Sequence, residues 1–306
     1  MPINLQRIIN SRLGIALALF IGRLVPSWAG YKLVYNLADL ISSRRNSPIV
    51  RSARANQWVA SRGQLSGLDL DMAVRENFRN QAHSLYDFYH HMNEAPEKQK
   101  ILVFDQVITD LYESCLEGKE GKLIVGVHMS NFDFVMQTIF KAGKKRGGSA
   151  LALTLPELPG GYQWQTRIRR MSGVDIVPTT VSTMRAAAIR LQQGGNVIMG
   201  IDRPIPDGRH RPLFFGRPSS LPVAHISLAL RAKVPIIVGT TLRHPDGTYH
   251  LQVSKPVKMV THADHQVEII RNAEAILEIA EGFISQAPAQ WAIFYPVWPE
   301  AIAEVP

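Results

Sequence analysis

Residues 123–133, LIVGVHMSNFD, constrain the fold more strongly than any other part of the sequence. The apolar and partly β-branched run at 123–127 predicts a buried strand, and Ser130 and Asn131 predict a turn. Apolar residues at helical spacing begin near Phe132 and predict a helix after the turn. The segment therefore predicts a strand, a tight turn and a helix, as in an α/β fold.

His128 and Asp133 lie on either side of this predicted turn. On a continuous helix their separation would place them about 140° apart, whereas the turn allows the carboxylate to reach back to one imidazole nitrogen. The other nitrogen then accepts a proton from an incoming group, so the pair predicts a general base and the residue that orients it. Ser130 lacks the glycines of a G-x-S-x-G nucleophile elbow, and we expect no covalent intermediate on the protein.

The spacing H-x-x-x-x-D after an apolar strand resembles the signature of the lysophospholipid acyltransferase superfamily, with His128 and Asp133 at the matching positions. Further segments resemble the branch that contains the late (lauroyl and myristoyl) acyltransferases of lipid A biosynthesis and the phosphatidylinositol mannoside acyltransferases. They are GIDRP at 200–204, PLFFGRP at 212–218, the run at 224–235 and APAQW at 287–291. The F-P-E-G-T-R-like motif of the glycerol-phosphate acyltransferase branch is absent. The resemblance extends over roughly residues 100–295.

This resemblance implies a fold like that of glycerol-phosphate acyltransferases and a catalytic role for His128 and Asp133. It assigns the third polar position of the family to Asp202, which would hold the acceptor headgroup or support the active-site loop. A turn-forming aspartate is the alternative. It also implies a phosphate-binding arginine, which is Arg169 or, as the alternative, Arg170. A solvated basic helix face is the other interpretation of both arginines.

Phe214 and Phe215 add apolar bulk next to the predicted site. An acyl chain needs an apolar groove, because each buried methylene contributes about 0.8 kcal/mol. We therefore predict that both rings bind the acyl chain, with a purely structural place in the core as the alternative.

Strand-like and helical patterns alternate beyond residue 122. Strands are predicted at 123–127, 150–155, 174–177, 196–201, 234–241 and 249–253, and helices near 69–91, 103–116, 132–142, 160–171, 181–193, 222–232 and 264–286. The alternation predicts an α/β fold with a mostly parallel central sheet flanked by helices, and an antiparallel hairpin across the turn at 245–247. We predict an amino-terminal interfacial helical segment at 1–65 and an α/β acyltransferase domain at 66–306.

The amino-terminal stretch is apolar at 13–25 and again at 28–40, with Arg23 and Pro26 as interruptions. Neither part reaches the roughly 20 apolar residues that a membrane-spanning helix needs. The pattern predicts a helix or helical hairpin lying in the membrane interface. A helical lid on the core is an alternative that is compatible with the first. A secretory signal is disfavoured because no clear small-residue cleavage site follows the apolar run.

The chain carries 34 basic and 25 acidic residues, which gives a formal charge of +9. This excess favours anionic partners such as a membrane surface, a phosphorylated headgroup or an acidic carrier protein. No nucleic-acid-binding module is recognised, and we predict no nucleic-acid partner. Cys115, the single cysteine, excludes an intramolecular disulfide and a cysteine metal cluster. The histidines at 83, 90 and 91 do not have metal-ligand spacing, so no metal site is predicted.

We therefore expect an O-acyltransferase that moves a fatty acyl group from an acyl-ACP or acyl-CoA thioester to a hydroxyl of a glycolipid or lipid A-type precursor. No cofactor other than the donor is expected. Since thioester donors are cytosolic, the expected location is the cytoplasmic face of the inner membrane. The alternatives are a lysophospholipid or glycerol-phosphate acyltransferase, a hydrolase with the same His-Asp pair, and a non-enzymatic basic membrane- or nucleic-acid-binding protein. The sequence makes no prediction of the oligomeric state.

Overall fold

A seven-stranded sheet lies at the centre of the computed structural model, which describes residues 19–154, 170, 172, 174–205 and 208–306. Its strands are β1 (Leu102–Val103), β2 (Lys122–Gly126), β3 (Ala150–Thr154), β4 (Val174–Pro178), β5 (Asn196–Gly200), β8 (Ile236–Arg243) and β9 (Tyr249–Val253). A separate two-stranded hairpin is formed by β6 (Leu213–Phe214) and β7 (Arg217–Pro218).

The strand order in the large sheet is β1-β9-β8-β2-β5-β3-β4. The five strands from β8 to β4 are parallel, while β9 runs antiparallel to β8 and β1 pairs parallel with β9. The mostly parallel sheet and the hairpin across 245–247 confirm the predicted fold class. The edge strand β1 was not predicted, because two residues are too few to show a strand periodicity.

Helices cover both faces of the sheet. They are α1 (Ser27–Ser42), α2 (Pro48–Ala60), α3 (Gly67–His91), α4 (Gln106–Glu117), α5 (Phe132–Lys145), α6 (Val181–Gln192), α7 (Ala224–Ala232) and α8 (His265–Gln286). Helix α4 starts later than predicted, because the Asp105 side chain accepts a hydrogen bond from the Ile108 N–H and caps it. The helix predicted near 160–171 lies outside the described residues except for Arg170.

The two faces of the parallel strands have different surroundings. Leu123 and Val125 of β2 are fully buried in the main core, which also contains apolar residues of α2, α6, α7 and α8. The intervening Ile124 and Gly126 face the other side and line a large cavity there. This alternation follows from the two-residue period of a strand. One face of these strands therefore packs in the main core, and the other lines the cavity.

The amino-terminal helical segment packs on α3. Gly30 of α1 allows close contact, because a Cβ there would lie 2.2 Å from the Tyr86 ring. Asp39 accepts hydrogen bonds from Arg75 at 2.8 Å and from Arg79 at 2.7 Å, and these bonds hold the pKa of Asp39 well below its usual value. Among the described helices, none combines the length and apolarity that crossing a membrane requires.

Candidate active site

The carboxyl ends of β2 and β5 bring His128 and Asp202 together. Gly126 pairs with Gly200 in the parallel ladder, and each of the two polar residues lies two positions beyond one of these glycines. The same register that aligns the strands therefore aligns the side chains that follow them. His128 Nδ1 lies 2.5 Å from Asp202 Oδ1.

Asp202 is a fully buried carboxylate with several donors around it. Its second oxygen, Oδ2, accepts the His128 backbone N–H at 2.8 Å and the Trp291 indole N–H at 2.8 Å. An ionised carboxylate accepts hydrogen bonds only, so the proton of a neutral His128 ring is held on Nδ1 and Nε2 carries the lone pair. The site thus presents an oriented base.

The segment after α8 holds Trp291 in this position. Met129 forms an isolated antiparallel bridge with Trp291, and the Ala292 N–H donates to the His128 carbonyl at 2.7 Å. Asn77 of α3 donates to the Trp291 carbonyl at 2.7 Å. Backbone pairing on one side and a helix side chain on the other therefore fix the indole against Asp202.

His128 lines a cavity of about 970 Å³ on the open face of the sheet, and its side chain is 24% exposed. The ring contacts Phe132 edge to face, with centroids 4.5 Å apart. Nε2 has no hydrogen-bond partner among the described residues. Most of the remaining wall is apolar, with side chains from α1, α3, α4, α5 and the strands. The free nitrogen of an oriented histidine therefore faces a space suited to a hydrocarbon chain.

Three paired glycines of neighbouring strands line the cavity that His128 also lines. Gly126 pairs with Gly200 on one side and with Gly239 on the other, and all three line the cavity. At Gly200 a Cβ would lie 2.6 Å from Cε1 of His128, so no larger residue fits without displacing the ring. This row was not predicted from the sequence, although a glycine inside a strand is a known sign of close approach.

Asp133, predicted to orient the histidine, does not occupy that position; Asp202 does. Asp133 lies in the first turn of α5 and lines the same cavity as His128. Its catalytic role stays a prediction. Asp202, predicted to hold the acceptor headgroup or support the active-site loop, is 0% exposed and bonds to His128 and Trp291. Its role in the reaction stays a prediction.

Of the two arginines predicted to bind phosphate, only Arg170 is among the described residues. Arg169 lies outside the described residues, so its phosphate-binding role stays a prediction. Arg170 is exposed and donates to the Ile176 carbonyl at 3.0 Å. Sequence reasoning missed Arg203, which lines the cavity, lies 4.6 Å above the Tyr295 ring and donates to the Tyr295 hydroxyl at 3.0 Å. Arg203 directly follows Asp202 in the sequence, and this position could have identified it as a candidate site residue.

Phe214 and Phe215 are buried in an aromatic cluster with Trp291 and Trp298. The Phe214 and Trp291 ring centroids are 5.9 Å apart. Neither phenylalanine is among the described residues that line the cavity. The structure therefore differs from the predicted contact with an acyl chain, and the cluster instead supports the tryptophan that bonds to Asp202.

Ser130 is unsuited to act as a nucleophile. It is 5% exposed, has a φ of 49° and is not among the described residues that line the cavity. Its N–H donates to the Gln290 carbonyl at 2.8 Å. The residue thus forms part of the sharp turn between β2 and α5, and a reaction without an acyl-enzyme stays a prediction.

A second buried His-Asp pair lies in α3, where His83 Nε2 is 3.1 Å from Asp87 Oδ2. Its other nitrogen, Nδ1, is 2.6 Å from the Tyr35 hydroxyl, and Asp87 also accepts from Tyr31 at 2.7 Å and Tyr249 at 2.5 Å. Both imidazole nitrogens are therefore engaged. This pair joins α1, α3 and β9, while the pair at His128 leaves one nitrogen for a substrate.

Comparison with known proteins shows the family of the chain. A search of curated proteins found no match. The model of the family described as bacterial lipid A biosynthesis acyltransferase matches residues 6–300, which include His128, Asp202 and Trp291. Because the match covers nearly the whole chain, this protein belongs to the bacterial lipid A biosynthesis acyltransferase family.

Proposed function

We propose that the protein transfers a fatty acyl group from an acyl-ACP or acyl-CoA thioester to a hydroxyl of a glycolipid or lipid A-type precursor. The observation that carries this proposal is the His128 ring, held on one side by the buried Asp202 and open on the other to a large apolar cavity. Family membership supports an acyltransferase of the lipid A type. The cavity supplies the apolar surface that a long acyl chain needs.

In the proposed reaction, His128 Nε2 accepts the proton of the acceptor hydroxyl while the oxygen of that hydroxyl attacks the thioester carbonyl. The new C–O bond forms, the C–S bond breaks, and the imidazolium returns the proton to the departing thiolate. Asp202 keeps the ring in the correct tautomer and stabilises the imidazolium. No atom of the protein becomes acylated.

The tetrahedral oxyanion needs hydrogen-bond donors near this base. The N–H groups of Met129 and Ser130 already donate to the carbonyls of Val127 and Gln290. We therefore assign this role to the N-terminal end of α5, which begins at Phe132 next to His128. The first N–H groups of a helix have no helical carbonyl to bond, and the helix dipole favours negative charge there.

Two arginine side chains are candidates to bind the phosphate of the acceptor or donor. Arg203 lines the cavity, and we propose that its guanidinium contacts a phosphate at the cavity mouth. Arg169 keeps the same role as a prediction from sequence. Asp133 lines the cavity as well, and we keep it as a proposed catalytic carboxylate.

The direct test is an assay of the purified full chain with lauroyl or myristoyl thioesters, analysed by mass spectrometry of the lipids. Lipid A-type disaccharide precursors, lysophospholipids and glycerol phosphate are offered as separate acceptors. We expect one new acyl ester on the disaccharide. Product from lysophospholipids or glycerol phosphate alone would assign the other acyltransferase branch, and free fatty acid alone would indicate a hydrolase.

Gly200→Ala should lower the transfer rate by about 100-fold, since an ångström-scale displacement of a catalytic group can have an effect of this size. The added Cβ would lie 2.6 Å from His128 Cε1 and would push the ring away from Asp202. Gly282→Ala is the control, because Gly282 is exposed on α8 and an added Cβ would meet nothing within 4 Å. Equal rates for the two variants would contradict the close packing of ring and strand.

We further propose that the amino-terminal helices lie in the membrane interface on the cytoplasmic face. Their outward side exposes large apolar residues, which are Phe20, Leu24, Trp28, Leu33, Leu37 and Leu40. Arg23 and Lys32 are exposed on the same segment and suit anionic headgroups. Leu37 also lines the cavity, so this surface adjoins the site and an acceptor lipid would have a short path to His128.

A double Leu24→Ser and Trp28→Ser variant tests the membrane surface. These side chains are 68% and 79% exposed, and losing their burial in lipid should weaken binding to phosphatidylglycerol-containing vesicles by at least about tenfold. Vesicle co-sedimentation of the full chain measures the effect. Val181→Ser is the control, because Val181 is 83% exposed on α6. Equal weakening by both changes would contradict a specific membrane surface.

A further inference from the structure

A segment at 288–297 lies between the amino-terminal helices and the active-site turn. On one side it bonds to the turn: the Gln290 carbonyl accepts the Ser130 N–H at 2.8 Å, and the Ala292 N–H donates to the His128 carbonyl at 2.7 Å. On the other side its carbonyls accept hydrogen bonds from buried asparagine side chains of α2 and α3. These are the carbonyls of residues 289, 291, 293 and 295.

Asn77 of α3 holds the part of the segment that carries Trp291. Its buried Nδ2 donates to the Ala289 carbonyl at 3.1 Å and to the Trp291 carbonyl at 2.7 Å. The Trp291 indole in turn donates to Asp202, the carboxylate that contacts the His128 ring. A shift of the Trp291 backbone would therefore displace a hydrogen-bond donor of the carboxylate that orients the proposed base.

Asn56 of α2 holds the next part of the segment, which carries Tyr295. Its buried Nδ2 donates to the Ile293 and Tyr295 carbonyls, both at 2.9 Å, and its Oδ1 accepts the Val297 N–H at 3.2 Å. The Tyr295 hydroxyl accepts a hydrogen bond from Arg203, whose guanidinium also lies over the Tyr295 ring and lines the cavity. Asn56 is therefore linked through one side chain to the proposed phosphate-binding arginine.

Neutral amides suit both positions. An asparagine Nδ2 carries two N–H groups, so a single side chain satisfies two buried carbonyls without bringing a charge into the core. Because each asparagine bonds to two carbonyls of the segment, it fixes the direction of the chain between them as well as its position. The two asparagines differ in what that chain carries, which is Trp291 in one case and Tyr295 in the other.

We propose that Asn77 and Asn56 are positioning residues for two separate parts of the reaction. This inference rests on the proposed acyl transfer. Asn77 acts through Trp291 on the orientation of the base, so its loss should lower kcat. Asn56 acts through Tyr295 on the phosphate contact of Arg203, so its loss should raise KM for a phosphorylated acceptor.

Asn77→Ala should lower kcat by about 10- to 100-fold with little change in KM for a lipid A-type precursor, because displacing a catalytic group by about 1 Å has an effect of this size. Trp291→Phe, which removes the indole N–H, should lower kcat as well. The double variant should be no slower than Trp291→Phe alone, since Asn77 acts through this indole. If Asn77→Ala does not fold, Asn77→Asp replaces it, because a protonated aspartate keeps the shape and donates one hydrogen bond.

Asn56→Ala should raise KM for a phosphorylated disaccharide acceptor by at least about tenfold and leave kcat nearly unchanged, as expected when a hydrogen bond to a charged group is weakened. The same acceptor without its phosphate is the internal control. Its KM should be the same for wild type and Asn56→Ala, because the contact that Asn56 supports is absent in both.

Asn272 of α8 is the matched control for removing a buried amide. Its Nδ2 donates to the Val260 and Glu268 carbonyls and its Oδ1 accepts the Val260 N–H, each at 2.8 Å. It is not among the described residues that line the cavity. Asn272→Ala should therefore lower thermal stability, as the other two changes do, and leave both kcat and KM unchanged.

Nitrogen-15 NMR of the Trp291 indole gives a readout that does not depend on turnover. The proton of an indole N–H that donates to a carboxylate resonates downfield, and Trp291→Phe identifies this signal among the five tryptophans. Asn77→Ala should move the signal upfield. Asn56→Ala and Asn272→Ala should leave it in place.

The expected result is a lower kcat with a moved indole signal in Asn77→Ala and a higher KM for the phosphorylated acceptor in Asn56→Ala. Wild-type kinetics in both folded variants, or the same changes in Asn272→Ala, would overturn the positioning roles and leave the proposed acyl transfer intact. If wild type transfers no acyl group, the proposed function fails. An indole signal that stays in place in Asn77→Ala would then overturn the positioning of Trp291 as well.

Discussion

Asp202→Asn should lower the rate of acyl transfer by about 10³- to 10⁴-fold while the protein stays folded, an effect typical of losing the carboxylate behind a catalytic histidine. The asparagine carbonyl oxygen would still accept the N–H groups of His128 and Trp291, which now donate to Oδ2 at 2.8 Å. Its NH₂ group would then face Nδ1 and donate to it. The His128 proton would move to Nε2, and the ring would no longer accept a proton from the acceptor.

Nitrogen-15 NMR of the His128 ring separates this explanation from a loss of folding. In wild type we expect the proton on Nδ1, and in Asp202→Asn on Nε2. Asp133→Asn is the matched comparison, because Asp133 lines the cavity but does not hold Nδ1. A change of tautomer in Asp133→Asn and none in Asp202→Asn would contradict the assignment of the orienting residue.

His128→Ala should reduce transfer by about 10²- to 10⁴-fold through loss of the general base. Because the ring projects into the cavity, we expect little change in thermal stability. His83→Ala should lower the thermal stability and leave the transfer rate per folded molecule nearly unchanged, since His83 is buried and pairs with Asp87 and Tyr35. Leaving those partners without hydrogen bonds should lower the free energy of unfolding by about 1–3 kcal/mol.

The assay for this pair of variants is kcat per folded molecule together with a thermal unfolding curve. Loss of kcat in His83→Ala at full stability would indicate that His83 and Asp87, and not His128 and Asp202, act in catalysis. Full activity in His128→Ala would exclude His128 as the base.

The sequence predicted the architecture well because the parallel strands are apolar runs between amphipathic helices. It also predicted which two strand ends carry the polar residues. His128 Nδ1 contacts Asp202, which was not predicted as its partner because it is 74 residues away, whereas Asp133 is near in sequence. Only the pairing of β2 with β5 brings Asp202 close, and an apolar run does not specify its neighbour in a sheet.

The aromatic residues show a second limit. The sequence is equally compatible with Phe214 and Phe215 lining a groove or packing in the core. In the structure they pack against Trp291 and Trp298. The glycine row could have been recognised from the sequence, since Gly126 and Gly200 lie within two apolar strand patterns. Their meaning depended on the register that places Gly200 under the His128 ring.

Mass spectrometry of the lipids and of the intact protein in one reaction mixture tests the central claim most directly. The mixture contains wild-type protein, an acyl thioester and a lipid A-type precursor. Direct transfer activated by His128 predicts one added acyl group on the lipid, an equal amount of released thiol and an unchanged protein mass throughout. An acylated protein, or thioester consumed with no acylated lipid, would contradict it.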